Sequence, residues 1–180
     1  MATSHHPLLL VDGYNIIGSW ASLKKTRDRH GLEPARRELI ESLINYTAHN
    51  GYETQVVFDS QYRQTPSSLE QYSPNLSIYF TAWMQTADTY IEKVCASFFR
   101  RTAPPAPRLI VATSDRDQRL TVVGYGAEWM SAQRLAHEIE SSGHQVRRKQ
   151  RPSKRSQSRF LFNCLDAKSQ ERLAQWQQGS

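Results

Sequence analysis

An α/β/α domain with a central, mainly parallel sheet is the fold class that this sequence predicts. Short apolar runs recur along the chain at Leu8–Val11, Gln55–Phe58, Leu76–Phe80 and Arg108–Thr113. Runs this short read as buried strands rather than helices. Segments with helical periodicity fill the intervals, and such alternation calls for crossovers that leave the strands parallel and both faces covered. At 180 residues, 38% of them hydrophobic, the chain is long enough to close one core and carry a tail.

Taken in order, Leu8-Leu9-Leu10-Val11 is a central strand that stops at a turn, Asp12-Gly13. Glu33 to His49 has Leu39, Ile40, Leu43 and Ile44 at helical spacing, and Asn50-Gly51 ends that helix. The next strand stops at Asp59. Residues 60 to 75, with Pro66, Pro74 and many polar groups, read as an irregular loop. After the strand Leu76–Phe80, Thr86 is placed to cap a helix to Arg101 that turns Ile91, Val94, Cys95 and Phe98 inward. Ala103 to Pro107 is a stiff connector. The strand Arg108–Thr113 leads to Ser114-Asp115, followed by a short helix over Asp117–Val123 and a strand at Ala127–Met130. A last core helix spans Ser131–Ser142 with Gly143 as its stop, and Asp166–Gln178 reads as a polar helix that is either docked on the body or ordered only on binding. The predicted division is an α/β body over 1–143 and a basic extension over 144–180.

The net charge of +6 belongs to one segment. Arg147, Arg148, Lys149, Arg151, Lys154, Arg155 and Arg159 stand together without an acid, and the other 16 Lys and Arg face 17 Asp and Glu. A basic run beside Pro152 and several serines reads as a solvated arm of the kind that contacts nucleic acid or a ribosomal surface. No stretch approaches the ~18 apolar residues of a membrane span, and Met1–Pro7 lacks the layout of a signal peptide. Cys95 and Cys164, without CxxC spacing, read as unpaired thiols in a reducing, cytoplasmic setting.

The chemistry concentrates in carboxylates. Asp12, Asp59 and Asp115 each follow a predicted strand, and ligands of open α/β sheets bind outside the carboxyl ends of the strands. Asp88 lies in the first turn of the helix that starts at this edge, with Glu92 one turn above it. Any one of these aspartates alone is as well explained by a helix cap. Four at one edge are not, because two carboxylates ~4 Å apart repel by about 4 kcal/mol at an effective dielectric of 20. Hard divalent cations, Mg²⁺ or Mn²⁺, relieve that repulsion, and the six histidines show no ligand spacing for zinc. Beside a basic arm, such a site suggests phosphodiester hydrolysis. Asn15 either orients a water or phosphate oxygen or stabilises its turn; Thr113 and Ser114 either bond the carboxylates or the phosphate, or cap a helix.

Other motifs fail. Gly13 to Ser19 imitates a P-loop but lacks its lysine, and Gly124-Tyr-Gly126 lacks the third glycine of a dinucleotide fingerprint, so no nucleotide cofactor is expected. A phosphoaspartyl hydrolase needs a second aspartate two residues after the first, where Tyr14 stands.

Asp12-Gly13-Tyr14-Asn15-Ile16-Ile17, Val57-Phe58-Asp59, Thr86-Ala87-Asp88 continuing to Ile91-Glu92, and Ala112-Thr113-Ser114-Asp115, in this order, resemble the YacP-like branch of the NYN domains, within the PIN-like nuclease superfamily. The resemblance runs from about Leu8 to Gly143. It implies a PIN-like α/β/α fold and an Mg²⁺- or Mn²⁺-dependent endoribonuclease. Asp12, Asp59, Asp88 and Asp115 would form its metal-binding acidic cluster. Position along the sheet makes Asp12, Asp88 and Asp115 the expected inner ligands, with Asp59 on a neighbouring strand outside them. The resemblance also implies mRNA as substrate and the ribosome as partner, because a bacterial member of this branch cleaves mRNA on the ribosome. A binding module of the same fold without turnover is the competing reading.

Overall fold

A computed structural model describes residues 6–60, 66–101 and 107–150. Its elements in chain order are β1 (Leu8–Asp12), α1 (Gly13–Ser19), α2 (Ala21–His30), α3 (Leu32–Asn50), β2 (Glu53–Phe58), β3 (Ser68–Ser73), β4 (Leu76–Phe80), α4 (Ala87–Arg101), β5 (Leu109–Ala112), α5 (Arg116–Gly124), β6 (Glu128–Met130) and α6 (Ala132–Gln150). The described strands form one sheet in the order β3-β4-β2-β1-β5-β6. All neighbours are parallel except β3 and β4.

The pleat of β1 divides the core. Leu9 and Val11 face Ile16, Ile17, Leu39, Leu43 and Leu135, from α1, α3 and α6. Leu10, between them, faces the other way, toward Ile91 and Cys95 of α4 and Val122 of α5. Alternate residues of one strand thus serve two layers of helix, which is why β1 is apolar from Leu8 to Val11 and shows no alternation. The predicted α/β/α architecture stands.

Three local expectations are corrected. Residues 60–75 are not all loop, because Ser68–Ser73 pairs antiparallel with β4 as an edge strand, with a register shift between Gln71 and Ser73. Every residue of β3 but Ser73 is exposed, so burial leaves no apolar alternation in the sequence to betray it. Gly13 is not a turn residue but the first residue of α1. An added Cβ there would lie 2.2 Å from the Phe58 ring, so it is close packing that demands glycine. Gly143 does not end its helix, since α6 continues to Gln150. The helix stop at Gly51 does hold, with Gly51 in the left-handed conformation at φ 66°. A glycine ends a helix when it takes that conformation; inside one it costs only about 1 kcal/mol relative to alanine.

Arg147, Arg148 and Lys149 therefore lie on the last turns of α6, a helix where an arm was expected. Arg151, Lys154, Arg155, Arg159, Cys164, the connector at 103–106 and the helix expected at 166–178 fall outside the described residues. No helix among the described residues is long and apolar enough to cross a membrane.

Candidate active site: an acidic cleft where the strand order reverses

From β1 the chain steps outward to β2 and β4, then returns to the opposite side of β1 with β5 and β6. The crevice beyond the carboxyl ends of β1 and β5 is thus the switch point, the usual ligand position in an open α/β sheet. A cleft of about 450 Å³ opens along this edge, and Asp12, Asp59, Asp88 and Asp115 all line it. The four aspartates named from sequence are brought together.

Each is positioned by a different local device. Asp12 ends β1 and caps α1, its Oδ1 accepting from the backbone N–H of Asn15 at 3.1 Å. Asp115 follows β5 and caps α5, accepting from the N–H groups of Asp117 and Gln118 at 2.8 and 3.0 Å. Asp88 stands in the first turn of α4, whose start is capped by Thr86 Oγ1 accepting from Thr89 N at 3.1 Å, as expected. Asp59 follows β2, and its Oδ1 is buried without a hydrogen-bond partner.

The electrostatics reflect this crowding. Asp12 is only 7% exposed. Burial pushes its carboxyl up to about 6, with Asp88 and Asp115 adding to the rise against the Asn15 N–H and the Gln118 amide, which oppose it. Asp88 is also raised, first by burial and then by the charges of Asp115, Glu92 and Asp59. Glu92 therefore bears on the cleft through its charge on Asp88.

Gln118 is the residue that sequence reasoning missed. It is 3% exposed, donates from Nε2 to Asp88 Oδ1, and its amide also favours the charged form of the Asp12 carboxyl. Its own Oε1 is buried without a partner. Asp115-x-x-Gln118 has the spacing of a local capping box, in which the glutamine would turn back to its own helix start. Here the amide reaches across to α4 instead. Arg27 was also missed, and it lines the cleft with part of its charge taken by Asp28 at 2.7 Å.

The remaining predicted residues act behind the carboxylates. Asn15 Oδ1 accepts from the N–H of Ser114 at 2.6 Å, pinning the corner after β1 to the corner after β5. Thr113, fully buried, accepts from Asp115 N at 3.0 Å and sets the turn that carries that aspartate. Ser114 Oγ accepts from Ala132 N at 3.2 Å, at the start of α6. Thr113 and Ser114 thus make turn and helix-start contacts, and among the described residues neither hydroxyl bonds a carboxylate.

The donor set fits a hard cation. It is all oxygen, it carries excess negative charge, and one buried carboxylate oxygen is unpartnered. Among the described residues, however, no three acidic, His or Cys side chains converge at ligand spacing. Gln118 occupies Asp88 Oδ1, so gathering the acids around one ion requires side-chain movement.

Residues 9–178 match the family described as YacP-like NYN domain. The chain belongs to this family. NYN domains fall within the PIN-like nuclease superfamily. The family match continues past Gly143 and takes in the basic segment. The protein YacP of Bacillus subtilis (strain 168) is 34% identical over 146 residues, covering 80% of this chain and 81% of YacP. The fold is similar to crystal structures of Rae1 (YacP) from Bacillus subtilis. One aligns with a TM-score of 0.65 and 30% identity over 96% of this chain and 95% of that one. A mutant form aligns at 0.66 and 28%, over 93% and 98%.

Proposed function

We propose that this YacP-like NYN protein is a metal-dependent endoribonuclease that hydrolyses phosphodiesters of RNA at the Asp12–Asp59–Asp88–Asp115 cleft, with mRNA on the ribosome as its setting. One observation carries the reading. Four carboxylates from separate corners of the fold share one cleft at the switch point, where burial first, and then the charges of Asp88 and Asp115, lift Asp12 to about 6. A fold keeps such an arrangement when a cation offsets it. Asp12, Asp88 and Asp115 are the residues to hold Mg²⁺ or Mn²⁺, with Asp59 beside them. When bound, such an ion polarises a water and stabilises the leaving oxygen.

The chain's own groups do the rest. With its carbonyl oxygen committed to Ser114, Asn15 keeps its amide N–H groups for a substrate oxygen. Arg27 is the cation among the cleft's described lining residues and is suited to a phosphate. The basic segment from Arg147 to Arg159 supplies non-specific attraction for RNA or ribosomal surface.

Purified protein with Mn²⁺ should cleave single-stranded RNA, with ribosomes supplied as a second arm. Asp12→Asn and Asp88→Asn should each reduce cleavage to background while circular dichroism stays unchanged. Wild-type rates in both variants would sink the assignment. The failure of three acids to converge favours a second reading, an RNA-binding module without turnover. RNA binding with no cleavage, even with ribosomes and metal present, would establish it.

A further inference from the structure

A second depression, about 820 Å³, adjoins the acidic cleft and shares Tyr14, Leu32 and Asp59 with it. Its size is that of a small-molecule site and exceeds what one nucleobase needs. We infer that this groove receives an unpaired nucleobase of the RNA strand, next to the phosphate held at the aspartates. The inference rests on the nuclease reading and extends it to how the strand is seated.

The groove's character comes from its rings. Tyr14 and Phe80 line it, and Phe58 lies behind them, with ring centroids 5.1 Å from Tyr14 and 5.7 Å from Phe80. The Arg36 guanidinium sits 5.8 Å from the Phe58 centroid and 5.7 Å from that of Phe80. Arg36 is held in place because it donates to the Tyr14 hydroxyl at 3.1 Å and pairs with Glu33. Aromatic rings beside a fixed guanidinium plane form the surface on which bases stack whatever their identity.

Charge decides which part of a nucleotide enters. Against the single Arg36 stand Glu33, Glu70 and Asp59. A phosphate would be repelled there, and Arg36 is already paired. A base is flat and uncharged, and its N–H edge can donate to those carboxylates. Phosphate and base thus separate between the two depressions, the phosphate going to the cation among the aspartates. The branch point is Tyr14, two residues after Asp12, which borders both.

Ser68, exposed on the edge strand β3, lines the groove, so Ser68→Trp should fill it without touching the core. The test uses the full chain with a fluorescein-labelled single-stranded RNA. Ca²⁺ replaces Mn²⁺, so that binding is read by anisotropy without turnover. Abasic sites are scanned along the strand. In the wild type one position should be sensitive, an abasic site there weakening binding roughly tenfold, within the range for removing one stacked base. Ser68→Trp should weaken the intact RNA by a similar factor, abolish that sensitivity, and leave Mn²⁺ affinity unchanged. Arg36→Gln, which keeps the backbone and most of the packing, repeats the reading if the tryptophan variant does not fold. A flat abasic scan, or a sensitive position that persists in both variants, overturns the groove assignment. If the wild type still cleaves RNA with Mn²⁺ under a flat scan, the nuclease reading stands and only this inference falls. A chain that binds no RNA at all removes both.

Discussion

The corners after β1 and β5 are built alike and behave differently. Each ends a parallel strand with an aspartate that caps the following helix, and Asn15 ties the two together. Asp115 is exposed and bonds two backbone N–H groups of its own helix. Asp12 lies beneath the sheet's edge with one such bond and two acidic neighbours, and its carboxyl rises to about 6. The same motif is thus an ordinary cap in one corner and a source of destabilising charge in the other. The difference is burial.

Substituting both aspartates by asparagine tests this most directly. A folded-state carboxyl raised from 3.8 to about 6 means that the folded protein holds a proton the unfolded chain has lost. Stability then falls as pH rises from about 4 to 6, and the loss is fully present at pH 7. A gap of about two pH units between the folded and unfolded carboxyl corresponds to about 3 kcal/mol. Metal-free Asp12→Asn should therefore gain up to ~3 kcal/mol against urea at about pH 7 and nothing at about pH 4. Asp115→Asn, which keeps its cap and removes only the charge contribution to the rise at Asp12 and Asp88, should gain clearly less at about pH 7. Equal responses would erase the distinction between the corners.

Gln118 sharpens the comparison next, because its N–H is held by Asp115 while its side chain serves Asp88 and Asp12. A buried amide whose oxygen is orphaned makes sense where the Asp88 carboxylate takes its N–H. Gln118→Leu should weaken Mn²⁺ binding by roughly 10- to 100-fold, the usual cost of losing a group that orients a metal ligand. Calorimetry without RNA reads this directly, and unchanged affinity would leave Gln118 a packing residue. Gly13→Ala probes the β1 corner from behind, since its Cβ meets Phe58 at 2.2 Å. It should cost about 1–3 kcal/mol in urea unfolding through overpacking, whereas a smaller loss would show that the Phe58 ring moves aside.

The smallest effect belongs to the basic segment. Neutralising Arg147, Arg148, Lys149 and Arg151 should flatten the salt dependence of RNA binding, by roughly 0.7 in slope for each single-strand phosphate that these side chains no longer neutralise. An identical slope would show that those four residues do not touch the RNA.

Much of this was legible in the chain itself. Leu8–Val11, Gln55–Phe58 and Leu76–Phe80 announced the inner strands because both of their faces are covered, and the aspartates after Val11, Phe58 and Ser114 announced the edge where the acids gather. β3 was invisible because an edge strand with almost no buried side chain leaves no periodic signal. In α2 only Leu23 is buried, so that helix too lacked a stripe to read.

By itself, then, the sequence determined the α/β alternation, the edge on which the acids gather and the family to which they belong. These follow from hydrophobic pattern and strand direction, which are local properties. Tertiary structure alone decided that Asp12 is buried and Asp115 is not, that Gln118 abandons its own helix for Asp88, and that Gly13 exists for Phe58. It also set Tyr14, Arg36 and Phe80 around one groove beside the acids. Those outcomes depend on distances between residues far apart in the chain, and only the closed sheet sets them.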